Sequence, residues 1–89
     1  MRKKIAGSPP STPGFLKEEW YIDERGIYKV MRGLTVISYK WSDMASVDTF
    51  ITQGSIKIVL KSGMTVIINN VYDVNETVNL IKKFIGSTT

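Results

Sequence analysis

The chain has 89 residues, no cysteine and no histidine, and a formal net charge of +4. That length holds one domain with a modest core. The missing residue types exclude a disulfide framework, a thiolate metal site and the commonest general base and metal ligand. Enzymatic chemistry, a metal, a cofactor and a small-molecule substrate are therefore not expected.

The charge is unevenly placed. Arg2, Lys3 and Lys4 supply +3 within the first four residues, and from Phe15 onward nine basic side chains face eight acidic ones. A short basic arm of this kind can touch nucleic acid or an anionic membrane. The commoner situation is a solvated chain start. Gly7 to Gly14, G-S-P-P-S-T-P-G, holds all three prolines. Proline fixes φ and removes a donor, so residues 1–14 are expected to be a disordered basic leader, with the folded unit over 15–86 and a tail at 87–89. No apolar run approaches a membrane span or a signal sequence, and a cytoplasmic protein is expected.

Six short runs follow, rich in β-branched and aromatic residues and parted by glycine-bearing turns. They are F-L-K-E-E-W-Y-I, I-Y-K-V-M-R, T-V-I-S-Y-K-W, S-V-D-T-F-I, S-I-K-I-V-L-K and M-T-V-I-I-N. The first three read as a meander with mixed faces, and periodicity leaves Trp20, Tyr21, Ile27 and Tyr28 unassigned. In the fifth run Ile56, Ile58 and Leu60 fall on one face. In the sixth Met64, Val66 and Ile68 do the same, and Ser62-Gly63 joins the two runs as a hairpin.

The chain then changes period. Asp73-Val74-Asn75-Glu76 has the spacing of an N-cap carboxylate with Glu76 reaching back. Val74, Val78, Ile81 and Ile85 form an apolar stripe, widened by Leu80 and Phe84. Lys82 and Lys83 would close the last turn, and Gly86 would stop a helix of roughly three turns. Strands followed by one helix make an α+β order. A small antiparallel sheet bends or closes to protect its edges. The expected architecture is bent antiparallel sheets forming a partly open barrel of six or seven strands, capped by the C-terminal helix.

Candidate chemistry is sparse. Glu18 and Glu19 are adjacent in a strand and point apart, and Asp23 and Glu24 lie in a turn. Asp43 and Asp48 lack the oxygen spacing of a calcium loop. A surface of cations and aromatics is the better candidate. If Gly33-Leu34 is a two-residue turn, Tyr28 opposes Tyr39 on one face, and Lys29 and Lys40 lie on the other with Arg32 nearby. Such a sheet can stack single-stranded nucleic acid. The plainer reading is a cross-strand tyrosine pair with solubilising lysines, favoured because the body is close to neutral. Trp41 is read as a buried corner residue, with Ser42 and Asp43 serving the local turn, in preference to a ligand platform.

The corner Trp41, Asp43, Met44 and Val47 matches a W-x-D-I-x-x-V-like motif, and Gly63, Val66, Ile68 and Asn70 match G-x-x-I-x-I-x-N ahead of the helix. Over roughly Trp20 to Ile85 the chain resembles a PH-like domain, most of all the small bacterial PH-type modules. The resemblance implies a seven-stranded scaffold for binding, a bacterial or phage setting and a non-enzymatic role in protein–protein contact. Self-assembly into a homo-oligomer is also implied, because such modules form rings. Six strands are evident. The seventh is sought in a split of F-L-K-E-E-W-Y-I or a different count of W-S-D-M-A-S-V-D-T-F-I, or is absent, leaving an edge open to a partner strand. Inositol-phosphate binders of the family cluster basic residues in the first hairpin loop, where this chain has Asp23, Glu24 and Arg25. The alternative function is a surface binder of anionic membrane or single-stranded nucleic acid, using Arg2, Lys3 and Lys4 with the strand lysines.

Overall fold

Ile56, Ile58 and Leu60 alternate with Lys57 and Val59, and their side chains go into a core that spans both sheets. In the computed structural model, which describes residues 2–51 and 53–87, seven strands form two antiparallel sheets followed by one helix. The first sheet has the order β1 (Lys3–Gly7), β2 (Glu19–Ile22), β3 (Gly26–Met31) and β4 (Leu34–Lys40). The second has β5 (Met44–Thr49), β6 (Ile56–Leu60) and β7 (Thr65–Ile68). The helix α1 spans Val74–Ser87. The α+β expectation holds at this level; the sheets do not close into a barrel.

The seventh strand lies where the sequence suggested a leader. Lys3–Gly7 pairs with β2, and Ile5 and Ala6 are 1% and 0% exposed. The expected boundary at Phe15 is therefore wrong, because the folded unit already includes Lys3. Two apolar residues among charges give almost no local pattern. This strand is fixed by distant partners: the Ala6–Val71 bridge, the Tyr72 N–H donating to Ile5 O at 3.0 Å and the Gly7 N–H donating to Asn70 O at 3.3 Å. These bonds join one edge of the first sheet to the chain leaving the second. The proline-rich stretch is the β1–β2 connection. Of F-L-K-E-E-W-Y-I only Glu19–Ile22 is strand, and Gly14–Leu16 is a 3-10 turn.

The β3–β4 register also departs from expectation. The turn residues are Arg32 and Gly33, with φ of 53° and 76°, and Met31 pairs with Leu34. Two successive positive φ values suit the twist of a tight hairpin. A bulge then shifts the ladder between Lys29 and Val30, so Ile27 faces Tyr39 and Tyr28 faces Ser38. A one-residue slip exchanges the two faces. The β6–β7 hairpin is as expected in place; Met64 pairs with Leu60 on the Val66–Ile68 face but, at the strand's loop end, is 55% exposed. Its three-residue loop ends at Gly63, φ 93°, and the Leu60 N–H donates to Met64 O.

The helix begins where its cap is written. The Glu76 N–H donates to Asp73 Oδ1 at 3.1 Å and the Thr77 N–H to Asp73 O at 2.9 Å. The Glu76 side chain pairs with Lys3 and does not close the expected reciprocal box. Gly86 lies inside the helix, which has 14 residues, so Lys82 and Lys83 precede the last turn. Thr77, Val78 and Ile81 are buried, and Val74, Leu80, Phe84 and Ile85 pack partly against the same core. Among the described residues no helix is long and apolar enough to cross a membrane.

Candidate functional site

The Trp41 corner is packed. The chain turns from β4 into β5 through a 3-10 turn, Trp41–Asp43, and Trp41, Met44 and Val47 are 2%, 1% and 5% exposed. The indole N–H donates to Asp23 O at 2.8 Å, and the Phe84 ring lies on the indole. Asp43 is exposed, and its carbonyl accepts the Lys61 N–H at 2.9 Å. With Phe84 stacked on the ring, the N–H bonded and the side chain buried, Trp41 offers no open platform for a ligand.

The five candidate binding residues of the meander do not converge. Tyr28 opposes Tyr21 on the outer face of the first sheet, while Tyr39 packs against the core opposite Ile27. Lys29 stands across from Trp20, with its ammonium 5.9 Å from that ring and 3.1 Å from a Glu18 carboxylate oxygen. Arg32 sits in the β3–β4 turn and Lys40 ends β4, about 20 Å away along an extended strand. The Tyr28–Tyr39 pair expected from the sequence is absent, because the turn and the bulge move the register.

The basic arm makes contacts within the fold. Lys3 pairs with Glu76 of α1, and Lys4 Nζ lies 2.8 Å from Glu19 Oε2. The Arg2 guanidinium stacks over Tyr21 at 4.4 Å and Tyr28 at 5.7 Å from the ring centroids. The Tyr21 hydroxyl donates to Glu19 at 2.8 Å and the Tyr28 hydroxyl to Asp23 at 3.0 Å. The outer face is a mesh of tyrosines, cations and carboxylates that satisfy one another. Glu19 lies below the ordinary carboxylate range because Lys4 and then Tyr21 donate to it, and those same bonds raise Lys4 and Tyr21. Burial pushes the Asp23 carboxyl up, but the Arg25 N–H, the Tyr28 hydroxyl and the Gly26 N–H outweigh it and hold the group low. Sequence reading missed Glu19, Tyr21, Asp23 and Glu76 as the partners of these groups. The i, i+2 spacing of Glu19 and Tyr21 on one strand face was the available signal.

Between β1 and α1 runs an open groove of about 470 Å³, lined by Lys3, Glu76, Asn79, Leu80 and Lys83. The helix contributions fall at i, i+3, i+4 and i+7 from Glu76 and so form one stripe. Among the described residues no cluster of histidine, cysteine or acidic side chains can hold a metal ion.

The feature with most capacity to engage another molecule is the outer edge of β4. It is an end strand of its sheet, seven residues long, and none of its residues is fully buried. Leu34 is 70% and Val36 51% exposed. The far edge of the same sheet is closed by the bonds to Asn70–Tyr72, whereas β4 has a paired strand only on its β3 side among the described residues. The Trp41 N–H donates to Arg25 O at 3.4 Å, which sets the parity of the ladder. Ile37 and Tyr39 then face β3, and the backbone groups of Ser38 and Lys40 point outward. Gly26 lets β3 and β4 approach this closely, since a Cβ there would come 2.0 Å from the Tyr39 carbonyl oxygen.

No protein-family model matches the chain, and no curated protein matches it.

Proposed function

We propose that the protein is a non-enzymatic binding module that mediates protein–protein contact by accepting an added strand at the open edge of β4, and that it self-assembles through that edge. The carrying observation is a seven-residue end strand with no buried residue and two exposed aliphatic side chains. Exposed edges of this kind are ordinarily blunted by charge, proline or a covering element. Here Leu34 to Tyr39 carries no charge and no proline. Strand addition takes its affinity from main-chain hydrogen bonds and its specificity from alternate side chains. In this reading the two sheets and capping helix are a PH-like, partly open barrel used as a rigid scaffold in a cytoplasmic protein. The motif match at Trp41, Asp43, Met44 and Val47 supports that assignment.

The alternative, a binder of anionic membrane or single-stranded nucleic acid, has less support. Lys3, Lys4 and Lys29 are each held by a carboxylate, and Arg2 by two tyrosine rings.

Ser38→Pro removes an outward N–H without touching the β3 side, so it is tolerated at an edge yet blocks strand addition. Val36→Lys is the milder companion. In sedimentation equilibrium, wild-type chain should exceed the 10.0 kDa monomer mass, and both variants should sediment as folded monomers. Assembly that survives both substitutions would remove the edge from the account.

A further inference from the structure

We infer that the strand β4 accepts is β4 of a second copy, antiparallel, with Ile37 on the two-fold axis. This rests on the reading of β4 as a self-assembling, strand-accepting edge and adds the orientation and register of the pairing. Two-fold pairing of identical strands is self-complementary: what one copy offers at one end, the other meets at its opposite end. With Ile37 against Ile37, Ser38 lies opposite Val36 of the second copy, the extra residue of the β3–β4 bulge, and Lys40 comes near the second copy's Leu34 end. The outward backbone groups of Ser38 are then used, and no like charges are directly opposed.

The ends of β4 supply the charge argument. Arg32 stands in the turn just before the strand and Asp43 just after it, and both are exposed. Neither has an ion-pair partner in the chain among the described residues. In this register each Arg32 comes beside Ser42–Asp43 of the second copy, so two equivalent Arg–Asp contacts flank the paired strands. A parallel arrangement would instead set Arg32 against Arg32 and Lys40 against Lys40, which charge repulsion disfavours. Eight strands would then run as one continuous sheet, and the β4 edge of each copy would be consumed.

Charge exchange tests this with full-length chains. Arg32→Asp suits the positive φ at that position, since Asp tolerates the left-handed region. Asp43→Arg changes an exposed side chain and leaves the residue's backbone carbonyl free to accept the Lys61 N–H as before. Each single variant, folded by circular dichroism, should raise the dimer dissociation constant about tenfold or more. An equimolar mixture of the two should restore it to within about threefold of wild type, because both contacts in the mixed dimer are again Arg–Asp. Ile37→Cys should oxidise to a covalent dimer, since a directly opposed, non-hydrogen-bonded pair has Cα atoms about 4.5 Å apart, within the span of a disulfide. A mixture that stays dissociated, or an Ile37→Cys chain that stays monomeric on oxidation, while Ser38→Pro still dissolves the wild-type assembly, would overturn the register and leave the β4 edge in place. Assembly unaffected by Ser38→Pro would overturn both. A wild-type chain that is monomeric at the highest accessible concentration would overturn self-assembly through this edge and the register with it.

Discussion

Trp41 and Phe84 lie ring on ring, with centroids 4.7 Å apart and planes 2° from parallel. The separation exceeds a contact distance of roughly 3.5 Å, so the rings are displaced sideways, the favoured arrangement for stacked aromatics. One partner belongs to the corner between the sheets and the other to the helix. This contact therefore ties the helix to the sheet junction, at the end of β4 whose edge is left open.

Removing half of that stack should loosen the helix without abolishing the fold. Phe84→Ala is expected to cost about 2–3 kcal/mol, and Phe84→Leu about 1 kcal/mol because it keeps most of the apolar volume. Thermal melts followed in the near ultraviolet report it directly, through Trp41. A melting point unmoved by Phe84→Ala would contradict a structural role for the pair.

The N-terminal strand gives a sharper test of the fold. Ile5 is 1% exposed in the shared core. Ile5→Ala should cost about 3 kcal/mol in urea unfolding, the range for a buried aliphatic truncation. A solvated leader would show no change at this position.

Gly26 is required by proximity, not by its own φ. A methyl group there meets the Tyr39 carbonyl at 2.0 Å and cannot be relieved by a side-chain rotation. Gly26→Ala should destabilise the chain by roughly 3 kcal/mol or more, or prevent folding. Gly14→Ala, with open space around the position, should be close to silent.

The Asp23 carboxyl organises the β2–β3 turn, and its lowered pKa fixes the sign of its pH dependence. A group held below its unfolded value contributes stability that is present above the unfolded pKa and lost as pH falls through the folded one. Asp23→Asn keeps an acceptor oxygen but loses the charge. It should cost about 1 kcal/mol at neutral pH, modest because the site is half-exposed. The gap from wild type should close as pH drops below about 4, read from urea midpoints across pH. A gap that stays constant down to pH 2 would remove the charge from the explanation.

Much of this architecture was legible in the sequence, and the failures have physical causes. The alternation of Ile56, Ile58 and Leu60, the Asp73 cap and the stripe from Val74 to Ile85 are local patterns, and they gave the hairpin and the helix. Trp41 was legible because a large aromatic between two strands has few alternatives to burial. Lys3–Gly7 was not, since its pairing with Val71 and β2 is set by residues far along the chain. The Tyr28 environment was lost through one residue of register, because Arg32 takes a positive φ that its side chain does not advertise. The same slip hid the candidate surface: an edge strand is defined by which neighbour is absent, and periodicity does not report neighbours. Asp23 was read as ordinary turn charge, and only its three donors reveal it as the centre of the turn.

Amide hydrogen exchange, measured residue by residue at low and high protein concentration, tests the open edge of β4 most directly. Ile37 and Tyr39 bond to β3 and should be protected at both concentrations. The Ser38 amide points away from β3 and should exchange freely when dilute, then become protected as concentration rises and a second strand docks. A Ser38 amide that stays unprotected at every concentration would contradict strand addition at this edge.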